Sequence, residues 1–270
     1  MIQIREQLCI GCGLCAQDCF SKCIRIVEGK ASFQRPQACI QCGHCVSVCP
    51  KNAVKLTEDS YLPPQIPLAD EASPEALMSL ICSRRSIRNF QNRPVPKDVW
   101  EALLEAGRYT PTGGNRQRVT YLIVQEDLDA FKALAWDGLE RLALQVLANP
   151  EIYGDSLRHY APTWKHFCDR HRQQPEKDYL FFNAPALLVV EGDTLSDAAP
   201  AASNIGLMAH AMGLGTLTSG FLQAVLRFDH AAADFLQIRR KDSCVCNLVG
   251  YPNVRYQRTP PRKRADVHWR

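Results

Sequence analysis

Nine of the thirteen cysteines fall within the first 49 residues, in two runs that share one spacing. Residues 9–19 read CIGCGLCAQDC and residues 39–49 read CIQCGHCVSVC, so both follow the pattern CxxCxxCxxxC. Three thiolates on such a tight loop can reach three corners of one iron–sulfur cube, whereas the fourth thiolate, on the helix that follows, points to another cube. The spacing therefore predicts two 4Fe–4S clusters with crosswise ligation.

The predicted ligands of the first cluster are Cys9, Cys12, Cys15 and Cys49, and those of the second are Cys39, Cys42, Cys45 and Cys19. Two alternatives stay open: zinc in place of iron, and Cys23 in place of Cys19 as a ligand. The segment resembles bacterial two-cluster ferredoxins over residues 1–58, with short strands expected at 24–26, 31–33 and 53–56.

The composition limits the possible partners. The chain has 270 residues, 46% of them hydrophobic, which suits one substantial core with a small appended domain. Its formal charge of +4 would be offset by two oxidised clusters of about −2 each, so no nucleic-acid partner is expected. With no apolar run of about 20 residues and no signal-peptide pattern, we expect a cytoplasmic protein that does not bind membranes.

The sequence indicates three parts: a ferredoxin domain at 1–58, a proline-containing linker at 59–75 and a larger domain at 76–270. A helix is predicted to begin with Ser73 as its cap and to end near Ser83. Its buried stripe is expected to consist of Leu77, Leu80 and Ile81.

Four residues that could bind an anion follow this helix directly: Arg84, Arg85, Ser86 and Arg88. The carboxyl end of a helix dipole repels anions, so full positive charges are needed there. Guanidinium groups offer planar, paired donors that suit a phosphate. The alternative is an ordinary basic surface turn.

The chain from Arg84, RRSIRNFQNRPVPKDVWEALLEAGRYTPTGGNRQRVTYLIV, resembles the opening of the FMN-dependent nitroreductase family. The resemblance continues in GLGTLTSGF (213–221) and VGYPNVRYQRTPPRK (249–263), and thus covers residues 76–270. With the cysteine-rich segment in front, the whole chain is similar to ferredoxin–nitroreductase fusions of anaerobes. The resemblance implies that the anion is the phosphate of FMN.

The resemblance also implies roles for individual residues. Arg84, Ser86 and Arg88, with Arg85 beside them, match the first flavin-binding segment, and Asn115 matches an amide that contacts the flavin. Along the reactive edge of the flavin ring the matching residues are Leu217, Thr218, Ser219 and Gly220. Arg262 and Lys263 match a late basic pair that closes on the phosphate, although Arg264 could take one of those roles.

The expected fold class is α+β, with strands at about 119–125, 186–191 and 244–250 between long helices. One of these helices should present Ala201, Ile205, Met208 and Met212 on one face. The family builds an antiparallel-rich sheet flanked by helices, and its two protomers hold FMN at their interface, so a homodimer is expected.

The aromatic residues of segment 153–179 are expected to form a lid over the flavin. A metal site there is not favoured, because His166 and His171 would diverge on a helix.

The predicted function is that of an oxidoreductase that passes electrons from a low-potential donor through two 4Fe–4S clusters to FMN. The donor would be a ferredoxin-like protein, with NAD(P)H as a further candidate, and the acceptor a nitroaromatic, a quinone or another small conjugated molecule. No catalytic side chain is predicted, because the flavin carries the chemistry. The alternatives are a reductive dehalogenase or ene-reductase with the same cofactors, and a redox sensor or electron carrier without an organic substrate.

Overall fold

The computed structural model describes residues 2–56 and 73–270. They form two compact units, one of residues 2–56 with 112–117, the other of residues 73–111 with 118–270. Most of the predicted linker at 59–75 lies outside the described residues. Every helix in the described part is too short or too polar to cross a membrane.

The smaller unit is built from two similar halves. Strand β1 (Ile2–Ile4) pairs antiparallel with β4 (Val54–Leu56), and β2 (Ile24–Val27) pairs antiparallel with β3 (Lys30–Phe33). Each half contains one short helix, α1 (Leu14–Asp18) or α2 (His44–Ser47). The strands predicted at 24–26, 31–33 and 53–56 are confirmed within a residue or two, whereas β1 was not predicted.

The larger unit contains one four-stranded antiparallel sheet in the order β5-β6-β8-β7. Its strands are β5 (Thr120–Val124), β6 (Ala186–Glu191), β7 (Gly215–Thr218) and β8 (Cys244–Gly250). The predictions for β5, β6 and β8 are confirmed. The two central strands, β6 and β8, are buried along their whole length.

Helices cover both faces of this sheet: α3 (Pro74–Ser83), α4 (Lys97–Arg108), α5 (Leu128–Ala148), α6 (Asp155–Gln173), α7 (Leu195–Ala211), α8 (Gly220–Phe228) and α9 (His230–Phe235). Successive residues of a strand face opposite sides. Leu187 and Val189 of β6 accordingly join the core beneath α5, α6 and α8, while Leu188 and Val190 join the core beneath α4 and α7. The predicted α+β class is confirmed.

Two expectations about helix faces were wrong. Helix α3 begins and ends as predicted, and the Ser73 hydroxyl accepts the Ala76 amide, but Leu77 is 49% and Ile81 46% exposed, and Leu80 is only partly buried. Among the described elements, α7 is the one that packs substantially against α3, so an apolar face stays uncovered.

On α7 the expected face is correct for Ala201 and Ile205, which are buried, but Met208 is 37% exposed and Met212, just beyond the helix, is 38% exposed. The buried stripe continues instead through Ala209, because residues four apart lie one above the other on a helix.

Candidate functional site

Two cavities in the smaller unit are each surrounded by thiols from both cysteine runs. Cys9, Cys12, Cys15 and Cys49 line the first cavity. Cys19, Cys39, Cys42 and Cys45 line the second, together with Cys23. The structure thus brings together the same two sets of four cysteines that the spacing assigned to two clusters.

Backbone amides point at the sulfur atoms in both cavities. The Ala31 amide lies 3.4 Å from Cys9 Sγ, and the Gln41 amide lies 3.4 Å from Cys39 Sγ. Amide donors of this kind stabilise cluster thiolates and influence the reduction potential of a cluster. Gly11 allows the loop to close, since it has φ 68° and a Cβ there would lie 2.1 Å from the Gly29 carbonyl oxygen.

The thiols themselves fit a group that carries positive metal ions. Burial raises the pKa of Cys15 and raises that of Cys45 to about 11, so neither thiol would be a thiolate at neutral pH without a cation beside it. The Ala31 amide lowers the pKa of Cys9 by hydrogen bonding. In residues 2–56 and 73–270, no group of three His, Cys, Asp or Glu side chains has the geometry of a single-ion site, so the fit rests on the cavities and their thiols.

The larger unit contains an open cleft of about 510 Å³ at the end of β7, where the chain turns into α8. Six of the predicted flavin-binding residues line it: Ser86, Arg88, Leu217, Thr218, Ser219 and Gly220. The Thr218 hydroxyl donates to Asn247 Oδ1 at 2.8 Å, and the Ser219 hydroxyl caps α8 by accepting the Leu222 amide. These bonds hold the backbone of the segment in place along the cleft.

Aromatic side chains also line this cleft. Tyr160, Trp164 and Phe167 project from α6, and the rings of Tyr160 and Trp164 pack against Phe221 with centroids 5.3 and 5.6 Å apart. Helix α6, within segment 153–179, therefore borders the cleft with aromatic side chains, and its role as a lid over the flavin stays a prediction.

The sequence did not single out Phe182, another aromatic residue of the cleft. It has φ 55°, an uncommon conformation for a residue with a side chain. Asp178 holds this turn, since its carboxylate accepts the amides of Phe181 and Asn183. A spacing pattern contains no signal for such a turn, because the conformation depends on the fold around it.

The structure separates the basic residues that were expected to share one phosphate. Arg84 and Arg85 line a different cavity of about 260 Å³, together with Arg255, Tyr256 and His210. Arg84 ends α3 in an extended conformation, Ser86 forms a β-bridge with Thr216, and Ser86 and Arg88 line the aromatic cleft instead. Burial, with a smaller effect of Arg84, lowers the pKa of His210. Arg255 was not predicted.

Three further predicted residues lie elsewhere. Asn115 belongs to the smaller unit, where its side-chain amide donates to the carbonyl oxygens of Ile40 and Gln41 at 3.1 and 3.0 Å. Arg262 and Lys263 are exposed, in a C-terminal segment without helix or strand. Their roles towards FMN remain predictions.

Relatives with known names or structures match both parts of the chain. Residues 81–251 match the model of the nitroreductase family, and residues 8–54 match the model of the 4Fe-4S dicluster domain. An NADPH-dependent oxidoreductase of Staphylococcus aureus (strain USA300) is 28% identical over 151 residues. That match covers 55% of this chain and 55% of the relative, so the chain spans about half the length of the curated relatives it matches.

Solved structures share the fold of the larger unit. A nitroreductase with bound FMN from Bacteroides fragilis NCTC 9343 superposes with a TM-score of 0.52 at 20% identity, covering 71% of this chain and 98% of that one. An FMN-dependent nitroreductase from Clostridium difficile R20291 gives a TM-score of 0.50 at 18% identity over the same shares. The predicted combination of a 4Fe–4S segment with a nitroreductase domain is confirmed. Because the family model matches well over half of the sequence, the chain belongs to the nitroreductase family.

Proposed function

We propose that the protein is an iron–sulfur flavoenzyme that receives electrons from a low-potential donor and reduces a small conjugated acceptor in the aromatic cleft. Its cofactors are two 4Fe–4S clusters and FMN. The observation that carries the proposal is the convergence of Ser86, Arg88 and the 217–220 segment on one cleft, in a chain that also has one cavity lined by four thiols and another lined by five.

The cleft suits FMN in size and chemistry. Its volume lies within the roughly 300–1,000 Å³ typical of cofactor and ligand pockets. A planar ring would find aromatic side chains in the lining, together with Ser86 and Arg88. When bound, FMN supplies the redox chemistry, because it accepts electrons singly, as 4Fe–4S clusters deliver them, or in pairs. The protein positions the cofactors and provides the charges around them.

The residues around the cleft also favour one class of acceptor. Tyr160, Trp164 and Phe167 offer flat apolar surface for stacking, which favours planar, conjugated molecules such as nitroaromatics and quinones. Among the described residues that line the cleft, Arg88 is the charged one, and it can hold a partial negative charge on the acceptor. A pure electron carrier has no need of such a binding surface.

The proposed donor is a ferredoxin-like protein that reduces the clusters. NAD(P)H is a second candidate, since a relative is named an NADPH-dependent oxidoreductase. For the phosphate of FMN, Arg84 and Arg85 remain the proposed ligands, and Arg255 adds a third guanidinium to their cavity.

We also propose a homodimer. The exposed apolar face of α3, with Leu77, Met78 and Ile81, would be covered by a second copy of the chain. A cytoplasmic location remains part of the proposal, because thiolate-bound clusters need reduced cysteines.

Deletion of residues 1–58 tests the proposed direction of electron flow. The larger unit has its own sheet and core, so it should fold, bind FMN and, after photoreduction, reduce nitro compounds. Rapid reduction of its flavin by a reduced ferredoxin should be lost, as measured by anaerobic stopped-flow absorbance against the full chain. Equal rates in both proteins would mean that the clusters are not the point of entry.

An anaerobic screen of acceptors with the full chain separates the alternative reactions. Turnover of nitroaromatics and quinones is expected. Preferential turnover of halogenated compounds or enones would indicate a dehalogenase or ene-reductase, and no turnover of any acceptor would favour a sensor or carrier.

A further inference from the structure

The second thiol-lined cavity contains a fifth cysteine. Cys23 is 1% exposed and borders the cavity together with Cys19, and its backbone amide donates to Cys19 Sγ at 3.2 Å. The Cys23 thiol donates a long hydrogen bond to the Ser21 carbonyl oxygen at 3.7 Å, and its side chain is also within hydrogen-bonding reach of Cys19, so its single hydrogen can turn to either acceptor.

The other half of the unit provides a natural comparison. Ala53 occupies the corresponding place, four residues after Cys49, and is also 1% exposed. Its amide donates to Cys49 Sγ at 3.2 Å, and it borders the first cavity. At this position the two halves thus share the backbone hydrogen bond and the burial, and they differ in the side-chain thiol.

We propose that the Cys23 thiol is a second hydrogen-bond donor to Cys19 Sγ and raises the reduction potential of the cluster in the second cavity above its value without that donor. The proposal rests on the proposed function, because it requires that both cavities hold clusters. A reduced cluster carries one more negative charge than an oxidised one, so a donor beside its ligand sulfur stabilises the reduced form more. In a buried position this effect is not weakened by water.

This arrangement would shift the balance between the two clusters. An electron that can reach both would reside on the cluster in the second cavity more often than it would without the additional donor. Cys23 is thus a tuning residue that acts through Cys19.

A redox titration of the full chain, followed by electron paramagnetic resonance, tests the proposal with Cys23→Ala. At a fixed potential, the reduced-to-oxidised ratio of the second cluster should fall about twofold to tenfold, the range that one ordinary hydrogen bond gives. A tenfold fall corresponds to about 59 mV for a one-electron couple. The first cluster should be unchanged, and the two signals are assigned from Cys49→Ser and Cys19→Ser.

Three matched variants make the result decisive. Cys23→Ser keeps a donor and should retain most of the wild-type potential, whereas Ala53→Cys should raise the potential of the first cluster. Cys82→Ala removes an exposed cysteine of the larger unit and should change neither cluster. Unchanged potentials in both Cys23→Ala and Ala53→Cys, or equal shifts of both clusters in Cys23→Ala, would overturn the proposal.

Iron analysis separates the possible failures. Wild-type protein without iron would refute the proposed function together with this inference. Loss of the second cluster in Cys23→Ala, but not in Cys19→Ser, would make Cys23 a ligand instead of a tuning residue.

Discussion

The close approach of Gly215 to Ile87 leads to a sharp prediction for Gly215→Ala. A Cβ on Gly215 would lie 2.2 Å from Ile87 Cγ1 and 3.0 Å from Ile87 Cβ. The backbone on both sides is fixed, since Gly215 pairs with Gly250 in the sheet and the Ile87 amide donates to the Thr216 carbonyl at 3.0 Å. The added methyl group can therefore be accommodated only if the segment around Ile87 moves.

Overpacking of this kind costs about 1–3 kcal/mol of unfolding free energy. In a domain of this size each kcal/mol lowers Tm by roughly 2–4 °C, so Gly215→Ala should melt roughly 2–12 °C below the wild type. Ser86 and Arg88 flank Ile87 and line the cleft, so the same movement should weaken FMN binding. Scanning calorimetry and the FMN-to-protein ratio after desalting measure the two effects.

Gly206→Ala is the matched control. The nearest atom to a Cβ there is Thr216 Oγ1 at 3.4 Å, an ordinary contact, and alanine favours a helix by about 1 kcal/mol over glycine. Its Tm should be unchanged or higher.

The double variant Gly215→Ala/Ile87→Ala completes the test. Ile87→Ala alone should cost about 2–5 kcal/mol, but it removes the Cγ1 atom that causes the clash. The double variant should thus be more stable than the sum of the single effects predicts. Additive effects, or a Gly215→Ala protein with wild-type Tm and FMN content, would refute the steric argument.

Three other predictions concern the cofactors and the pH dependence. Cys19→Ser should damage the cluster of the second cavity and Cys49→Ser that of the first, as iron analysis and spectra of the reduced proteins would show; identical damage in both variants would contradict crosswise ligation. Arg84→Ala and Arg262→Ala should each assemble both clusters but lose FMN on desalting, and stoichiometric FMN in both would exclude the phosphate assignment. Because the pKa of His210 is lowered in the folded protein, the unfolded state binds more protons, so stability should fall as the pH drops below about 6.5. His210→Gln should flatten that part of the Tm profile, and an unchanged profile would show that other groups dominate.

The cysteine-rich segment was the most predictable part of the molecule. A spacing such as CxxCxxCxxxC specifies which side chains can reach a common centre, and the two cavities contain the expected sets. Strands β6 and β8 were predictable for a similar reason, since continuous apolar runs leave few alternatives to a buried strand.

Other features of the fold and of the candidate site could not be predicted, because they depend on tertiary contacts that local sequence patterns do not encode. Strand β7 is short and begins with Gly215, so nothing in its composition distinguishes it from a loop. The apolar stripe of α3 was correctly read as apolar, but burial requires a covering element, and the described residues do not supply one. The arginine run looked like a single anion site because it is compact in sequence, whereas in the folded chain Arg84 and Arg88 line different cavities.

The mixed lining of the two thiol cavities has a consequence for assembly. Each half of the small unit contributes three thiols to one cavity and the fourth to the other, so neither half contains a complete site. A peptide that contains only one half could form a complete four-thiol site only as a dimer, in which each copy gives its fourth thiol to the other. In the full chain, iron that joins Cys9 to Cys49 would close a loop of about forty residues and act as a cross-link against unfolding. We therefore expect that damage to one cluster leaves the other in place but loosens the polypeptide around it.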